Sequence, residues 1–337
     1  MTQPAMPPSS SAPQVLIIGA GMSGLIAARH LHQAGRRVLV LDKGRGVGGR
    51  MATRRIQAAR FDHGAQYFTA RDATFASMIT AWQAQGVVHK WAEGFVTPSG
   101  ELKKTGEARY RGRDGMTSIL KHLAEGLDVR LNTRVTQVEP LAEGWQVTSE
   151  DGQRFEASAL VITAPIPQTL ALLDAGSFAL PPEARLILEK IDYAPCFAVL
   201  ALLERPAQIP APGGVWLSGE PVAWLSDNQQ KGISDAPGVT IHGGPVFSRL
   251  HLEDDRQRVG KLLIDAALPY IGAPIVAYEV HLWRYSLPEQ VYPARTLALR
   301  SPAPLLLAGD AFAGPRVEGA ALSGLAAAQQ LVEMLRS

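Results

Sequence analysis

Cysteine is almost missing from this chain: Cys196 is the only one in 337 residues. No internal disulfide forms and no dithiol pair shuttles electrons, which excludes disulfide-reductase chemistry. An excess of either charge is missing too, because 33 Lys and Arg against 31 Asp and Glu leave a formal +2. That balance specifies neither a nucleic-acid surface nor an anionic membrane surface. Long apolar runs are absent: the longest, Cys196–Leu203, is far short of the roughly 18 residues that suggest a membrane span. No nucleophile triad and no metal-ligand cluster stands out. The opening stretch, residues 1–13, is rich in Pro, Ser and Ala and has neither a basic start nor an apolar core. It reads as a frayed tail and not as a signal or transit peptide, so cytoplasm is the expected location.

What is present belongs to a folded protein, with 46% hydrophobic and 19% charged residues. Val15–Ile18 is a short apolar run, followed by a glycine turn and then Leu25, Ile26, Ala28 and Leu31 at helical spacing. A second apolar run, Val38–Leu41, ends in Asp42. Strand, turn, helix and strand in this space make a βαβ unit with a parallel pair. The turn, Gly19-Ala20-Gly21-Met22-Ser23-Gly24, is a G-x-G-x-x-G pattern. Its first glycine permits the tight turn, the second lets backbone approach a pyrophosphate, and the third lets helix and strand pack closely. Asp42 stands where an acid accepts ribose hydroxyls. A second glycine-rich stretch with Lys43, Arg45, Gly48, Gly49 and Arg50 follows, suited to wrapping a phosphate. Farther on, Met116–Leu127 has helical spacing, Asp128–Val138 alternates as one strand, and Leu160–Ile162 and Leu305–Leu307 read as buried strands. Gly319–Leu335 reads as a closing helix.

The run from Gly19 to Gly24, then Asp42, then Gly48-Gly49-Arg50, resembles the FAD signature of monoamine-oxidase and glutathione-reductase type flavoproteins. Asn132-Thr133-Arg134-Val135 is similar to the strand whose backbone meets the adenine. Ala308-Gly309-Asp310 with Val317-Glu318-Gly319-Ala320 is similar to the C-terminal flavin motif, where a helix N-terminus would stabilise charge on the reduced ring. A closer resemblance, carried by Asp62-His63-Gly64-Ala65-Gln66-Tyr67-Phe68, by Arg316–Ala320 and by Trp224–Lys231, is to bacterial renalase-like proteins. It implies an α/β fold in which a discontinuous Rossmann-type FAD domain (residues 14–71, 107–169 and 293–337) carries a smaller α+β substrate cap (72–106 and 170–292).

The same resemblance assigns Lys43, Gly64, Ala65, Gln66 and Ala164 to the cofactor, besides the motif residues. It implies an oxidase of the dihydro-NAD(P) isomers that carry hydride on ring carbon two or six, with O2 as acceptor and hydrogen peroxide as product. In the cap, Asn228, Trp283, Arg284 and Tyr285 are candidate substrate contacts, joined by Arg316 beside the flavin motif. Aromatic faces there suit a nicotinamide ring and a guanidinium suits a phosphate. His63 and His242 are the candidate catalytic side chains, with a structural hydrogen bond the leading role for His63. No strong base is required, since hydride leaves a dihydropyridine directly as the ring becomes aromatic.

Two other readings stay open. A flavin amine oxidase or related dehydrogenase would need an aromatic cage before the final motif, where only Phe312 stands. A non-catalytic flavoprotein sensor would bind flavin without turnover. Noncovalent FAD is expected, because no cysteine lies near the expected flavin and His63, which could carry a covalent bond, has a structural hydrogen bond as its leading role. The purified protein is therefore expected to be yellow and to release free FAD on acid or heat treatment. Colour retained by the denatured chain would reject noncovalent attachment.

Overall fold

The computed structural model describes residues 13–217, 220–312 and 314–336. All but the last residue of the expected tail lies outside the described residues. Six strands form one sheet, in the order Leu297–Leu299, Leu305–Leu307, Ala159–Ile162, Val15–Ile18, Val38–Leu41 and Asp128–Arg130. All neighbours pair parallel except the first two. Alternate side chains of Val15–Ile18 face opposite ways, as strand geometry requires. Val15 and Ile17 meet helices Met22–Gln33, Thr117–Ala124 and Val317–Met334. Leu16 and Ile18 meet a three-stranded antiparallel sheet (Val135–Leu141, Gly144–Ser149, Arg154–Ala157) through Trp145 and Val147. A parallel sheet buried on both faces reads as continuous apolar runs, which is why these strands were legible.

A seven-stranded sheet stands over the carboxyl ends of those strands, in the order Ile275–Pro288, Tyr193–Leu203, Gly238–Gly243, Val222–Asp227, Gly214–Trp216, Val88–Val96 and Leu102–Gly112. Helix Arg256–Ile271 closes one face, with Val259, Leu263 and Ile271 packed on Phe197, Val199 and Ala201. The other face turns toward the cofactor half, where Leu200 and Leu202 meet Ala59 and Phe61 of the hairpin Thr53–Ile56 and Ala59–Asp62.

Four expectations need correction. Residues 128–138 are two strands, because Asn132 takes φ +52° and the amides of Asn132 and Thr133 turn back to the Gly44 and Asp42 carbonyls. Helix Ala73–Ala84, expected in the cap, buries Phe75, Ile79 and Trp82 in the cofactor-side core. Its Asp72 cap takes the Thr74 amide at 2.8 Å, while Glu318 takes the Asp72 amide at 2.8 Å, which fastens it to the closing helix. Helices Ile166–Ala175 and Pro182–Glu189 likewise pack under the parallel sheet through Leu173 and Leu188, whereas all of Leu102–Gly112 joins the cap sheet.

The first glycine turn separates packing from access. A Cβ on Gly24 would lie 1.9 Å from the Gly19 carbonyl oxygen, whereas one on Gly21 would find nothing within 4 Å. Gly24→Ala is therefore expected to cost about 1–3 kcal/mol of overpacking, read as a lower denaturant midpoint. Gly21→Val should fold normally and lose FAD. Full flavin content in a folded Gly21→Val protein would contradict the fingerprint.

Candidate active site

A cleft of about 3200 Å³ runs between the two sheets, at the carboxyl ends of the parallel strands. Open α/β sheets bind ligands at this position, because loops and helix N-termini converge there. Gly19 and Gly21 follow the Val15–Ile18 strand, Asp42 and Lys43 the Val38–Leu41 strand, Ala164 the Ala159–Ile162 strand, and Gly309 and Asp310 the Leu305–Leu307 strand; all line the cleft. The Asp42 carboxylate accepts the Ala20 and Gly44 amides, each at 2.6 Å, and so ties the first glycine turn to the second. Gly48, at φ +140°, donates its amide to the Ala20 carbonyl at 3.0 Å, a conformation that side chains on L-residues resist. Lys43 donates to Gln168 at 3.1 Å, and burial, then Arg134, holds it below the ordinary lysine value.

Arg50 joins three parts of the site. It clasps Asp310 with two bonds of 2.7 Å and reaches the carbonyls of Tyr285 and Ser286 at 3.3 and 3.2 Å. A bidentate guanidinium–carboxylate pair fixes orientation as well as distance. Its own carbonyl takes the Ala65 amide at 2.8 Å, and a Cβ on Gly64 would come within 2.0 Å of it. The segment Gly64–Gln66 is thus pressed onto the second glycine turn. The closing helix presents Val317, Glu318 and Ala320 to the cleft, with no side chain capping its N-terminus.

These residues fit an FAD. Open space over Gly21, two uncapped helix N-termini and the Asp42 carboxylate match a pyrophosphate, a ribose and a ring that gains negative charge. Of the expected cofactor residues only Gly24 and Gly319 lie off the cleft wall; Gly319 packs instead on the Gly314 backbone. Glu318 turns its carboxylate to the amides of Arg71 and Asp72.

On the cap side, Trp283 donates its indole N–H to the His63 carbonyl at 2.7 Å and stacks on the His63 ring, 5.0 Å away and 14° from parallel. His281, which the sequence did not single out, meets Trp283 edge-on at 4.2 Å. His242 lies 3.3 Å from the same His63 carbonyl. Burial pushes His63 down to about 3, helped by His281 and Arg54, and pushes His242 and His281 down to about 4. All three are neutral near pH 7. Two other expected contacts resolve differently. Arg284 and Tyr285 both line the cleft, but Arg284 pairs with Glu253 at 2.7 Å and Tyr285 packs edge-on against Tyr193.

Asn228 does not reach the cleft. It is fully buried and donates to Thr240 at 3.0 Å and to the Gly238 carbonyl at 3.3 Å, as part of the layer beneath the site. That layer centres on Asp62 and Lys231, both fully buried and 2.6 Å apart. Asp62 also accepts the Thr53 hydroxyl and the Met116 amide, and its carbonyl takes Gln66 and Thr240. An aspartate ending the strand Ala59–Asp62, right after Phe61, was the available signal. Tyr67, Trp216 and Trp224 add a further aromatic wall that sequence reasoning missed, since it joins the paired strands of Trp216 and Trp224 to Tyr67, far away in sequence.

Comparison with known proteins agrees with this geometry. Residues 93–332 match the family described as flavin containing amine oxidoreductase, and residues 17–82 match a NAD(P)-binding Rossmann-like domain. Mouse (Mus musculus) renalase is 28% identical over 291 residues, covering 81% of this chain and 84% of that protein. Rice (Oryza sativa subsp. japonica) polyamine oxidase 4 is 41% identical over 70 residues, only 21% of this chain and 14% of that one. A putrescine oxidase solved with putrescine bound superposes with a TM-score of 0.71 over 96% of this chain and 99% of its own, at 18% identity, a likeness of fold. With the family match spanning more than two thirds of its length, the chain belongs to the flavin-containing amine oxidoreductase family and is a renalase-like FAD-dependent oxidoreductase.

Proposed function

We propose that this chain is an oxidase of dihydropyridine isomers of NAD(P)H, those with hydride on ring carbon two or six. The observation that carries the reading is the wall formed by His63, Trp283 and His281, aromatic and uncharged. A flat, neutral dihydropyridine matches such a wall by stacking, and it yields hydride without a base. The amine-oxidase alternative fits less well: Phe312 is buried against Tyr292 and lines no part of the cleft, so it supplies no cage.

Bound FAD would supply the hydride acceptor and hand the electrons to O2, with release of hydrogen peroxide. The chain's own work is binding and placement. The glycine turns and Asp42 would hold the dinucleotide, Arg50 and Asp310 would brace the cleft floor to the cap, and Trp283, locked by its bond to the His63 carbonyl, would orient the donor ring. Placing a donor carbon in a near-attack position is worth roughly 7 kcal/mol or more in well-oriented models.

Under anaerobic conditions the two isomers are expected to bleach the flavin rapidly, ordinary NADH slowly and amines not at all. Admitting oxygen should restore the oxidised spectrum and produce peroxide. If amines or ordinary NADH reduce the flavin fastest, the substrate assignment is wrong and the flavoprotein fold alone stands.

The histidines add a pH signature. Each is depressed below its ordinary 6.5, to about 4 for His242 and His281 and about 3 for His63. Between those values and 6.5 the unfolded chain binds protons that the folded chain refuses, so the stability contribution is complete above 6.5 and is lost as pH falls. Urea midpoints should drop from pH 7 to pH 5. Midpoints that hold steady or rise across that interval would show that these histidines are not buried neutral.

A further inference from the structure

Arg109, on strand Leu102–Gly112, is only 6% exposed. Its guanidinium lies 5.0 Å from the Phe95 ring centre and 5.6 Å from that of Tyr67, donates to the Glu107 carbonyl at 3.1 Å and to the Thr105 hydroxyl at 2.9 Å, and keeps a buried Nε with no partner. No carboxylate pairs with it among the described residues; Glu107, the neighbouring acid, gives both oxygens to Arg71 at 2.6 and 2.8 Å. A buried cation whose neighbouring carboxylate is clasped by another guanidinium is an expensive arrangement, and aromatic faces compensate it only in part. Such a group is matched by an anion that arrives from outside.

Its position says from where. Arg109, Thr105 and Trp216 line the main cleft and also a smaller recess of about 650 Å³, so the guanidinium stands at the doorway between them. Trp216 is 49% exposed and rests edge-on against buried Trp224 at 4.9 Å, which holds a flat indole open to the recess. An open aromatic face next to an unmatched guanidinium is the pairing that recognises a base carrying a phosphate.

We propose that this recess binds the phosphate-linked aromatic end of the substrate, with Arg109 meeting a phosphate oxygen and Trp216 stacking on the base. The proposal rests on the dinucleotide reading above and extends it to the half of the substrate that does not react. A phosphate there could belong to a nucleotide or be free, and the two sources differ in their need for Trp216.

The test is equilibrium titration of the oxidised, FAD-loaded protein with ADP and with inorganic pyrophosphate, read by calorimetry with flavin content checked before and after. ADP should bind more tightly than pyrophosphate. Arg109→Gln should weaken both at least tenfold, and Trp216→Ala should weaken ADP while leaving pyrophosphate unchanged. Since Arg109 is buried and its variant can fail to fold, the half-exposed Trp216 provides the second arm. Wild-type protein that binds no ADP, or pyrophosphate as tightly as ADP, overturns the proposal, as does ADP affinity unchanged in folded Arg109→Gln or in Trp216→Ala. A kinetic arm compares dihydronicotinamide mono- and dinucleotide isomers: the KM advantage of the dinucleotide should shrink toward one in Trp216→Ala. Should ADP bind as described while no dihydropyridine reduces the flavin, the recess stands and the oxidase reading falls. Flavin reduction by the isomers without ADP binding gives the reverse.

Discussion

Asp62 and Lys231 meet 2.6 Å apart in a place sealed from solvent, and the floor of the cleft is built on that contact. Two charges taken out of water pay a desolvation cost that a single bond rarely repays, so such a pair is poor evidence of stability and better evidence of a fixed arrangement. Each member has further support: Asp62 accepts from Thr53 and Met116, and Lys231 lies 5.0 Å over the Trp91 ring. Removing one partner leaves the other buried and uncompensated, at about 3–5 kcal/mol. The contact ties the cap turn at residues 227–232 to the strand that runs into His63. Everything above it depends on that register, because the His63 carbonyl receives Trp283 and lies beside His242.

The two halves of the site use different physics. The cofactor half works with main-chain groups and full charges: open glycine turns, uncapped helix N-termini, and the Arg50–Asp310 clasp. Polar main chain at a strand end has to be satisfied by something, and a ligand rich in phosphate and hydroxyl does so. The cap half works with aromatic faces whose ionisable members are held neutral by burial. Arg50 is the bridge, since it reaches the cap strand carbonyls of Tyr285 and Ser286 while holding Asp310.

This division also explains what could be read from the sequence. The cofactor half is written locally: a glycine triplet between an apolar strand and a helix, an acid at the next strand's end, and a second glycine pair with an arginine. Each is a consequence of backbone geometry within a few residues, so each leaves a local pattern. The floor is written across long separations. Asp62 and Lys231 are distant in sequence, and nothing near either one names its partner. Asn228 was misplaced for the same reason, since a polar residue in a turn looks like a contact until the strands around it are known to bury it. Helix Ala73–Ala84 carries too weak a stripe to reveal which core it joins; its Glu318 anchor comes from the far end of the chain.

On the proposed reading, the neutrality of the cap wall has an electrostatic purpose that stacking alone does not explain. A dihydropyridine is uncharged, but the ring becomes cationic as hydride departs, so positive charge develops against whatever faces it. A protonated imidazole at about 5 Å would oppose that charge by about 3 kcal/mol at an effective dielectric of ~20, roughly two orders of magnitude in rate. His63, His242 and His281 avoid the penalty because burial, and for His63 and His281 the guanidinium of Arg54, deny them the proton. Arg109, a buried cation with no ion pair among the described residues, stands at the doorway to the recess and not in the stacked wall. Arg54, the guanidinium that does act on His63 and His281, is paired with Glu279 at 2.9 Å, and that carboxylate offsets its charge toward a ring that must become positive.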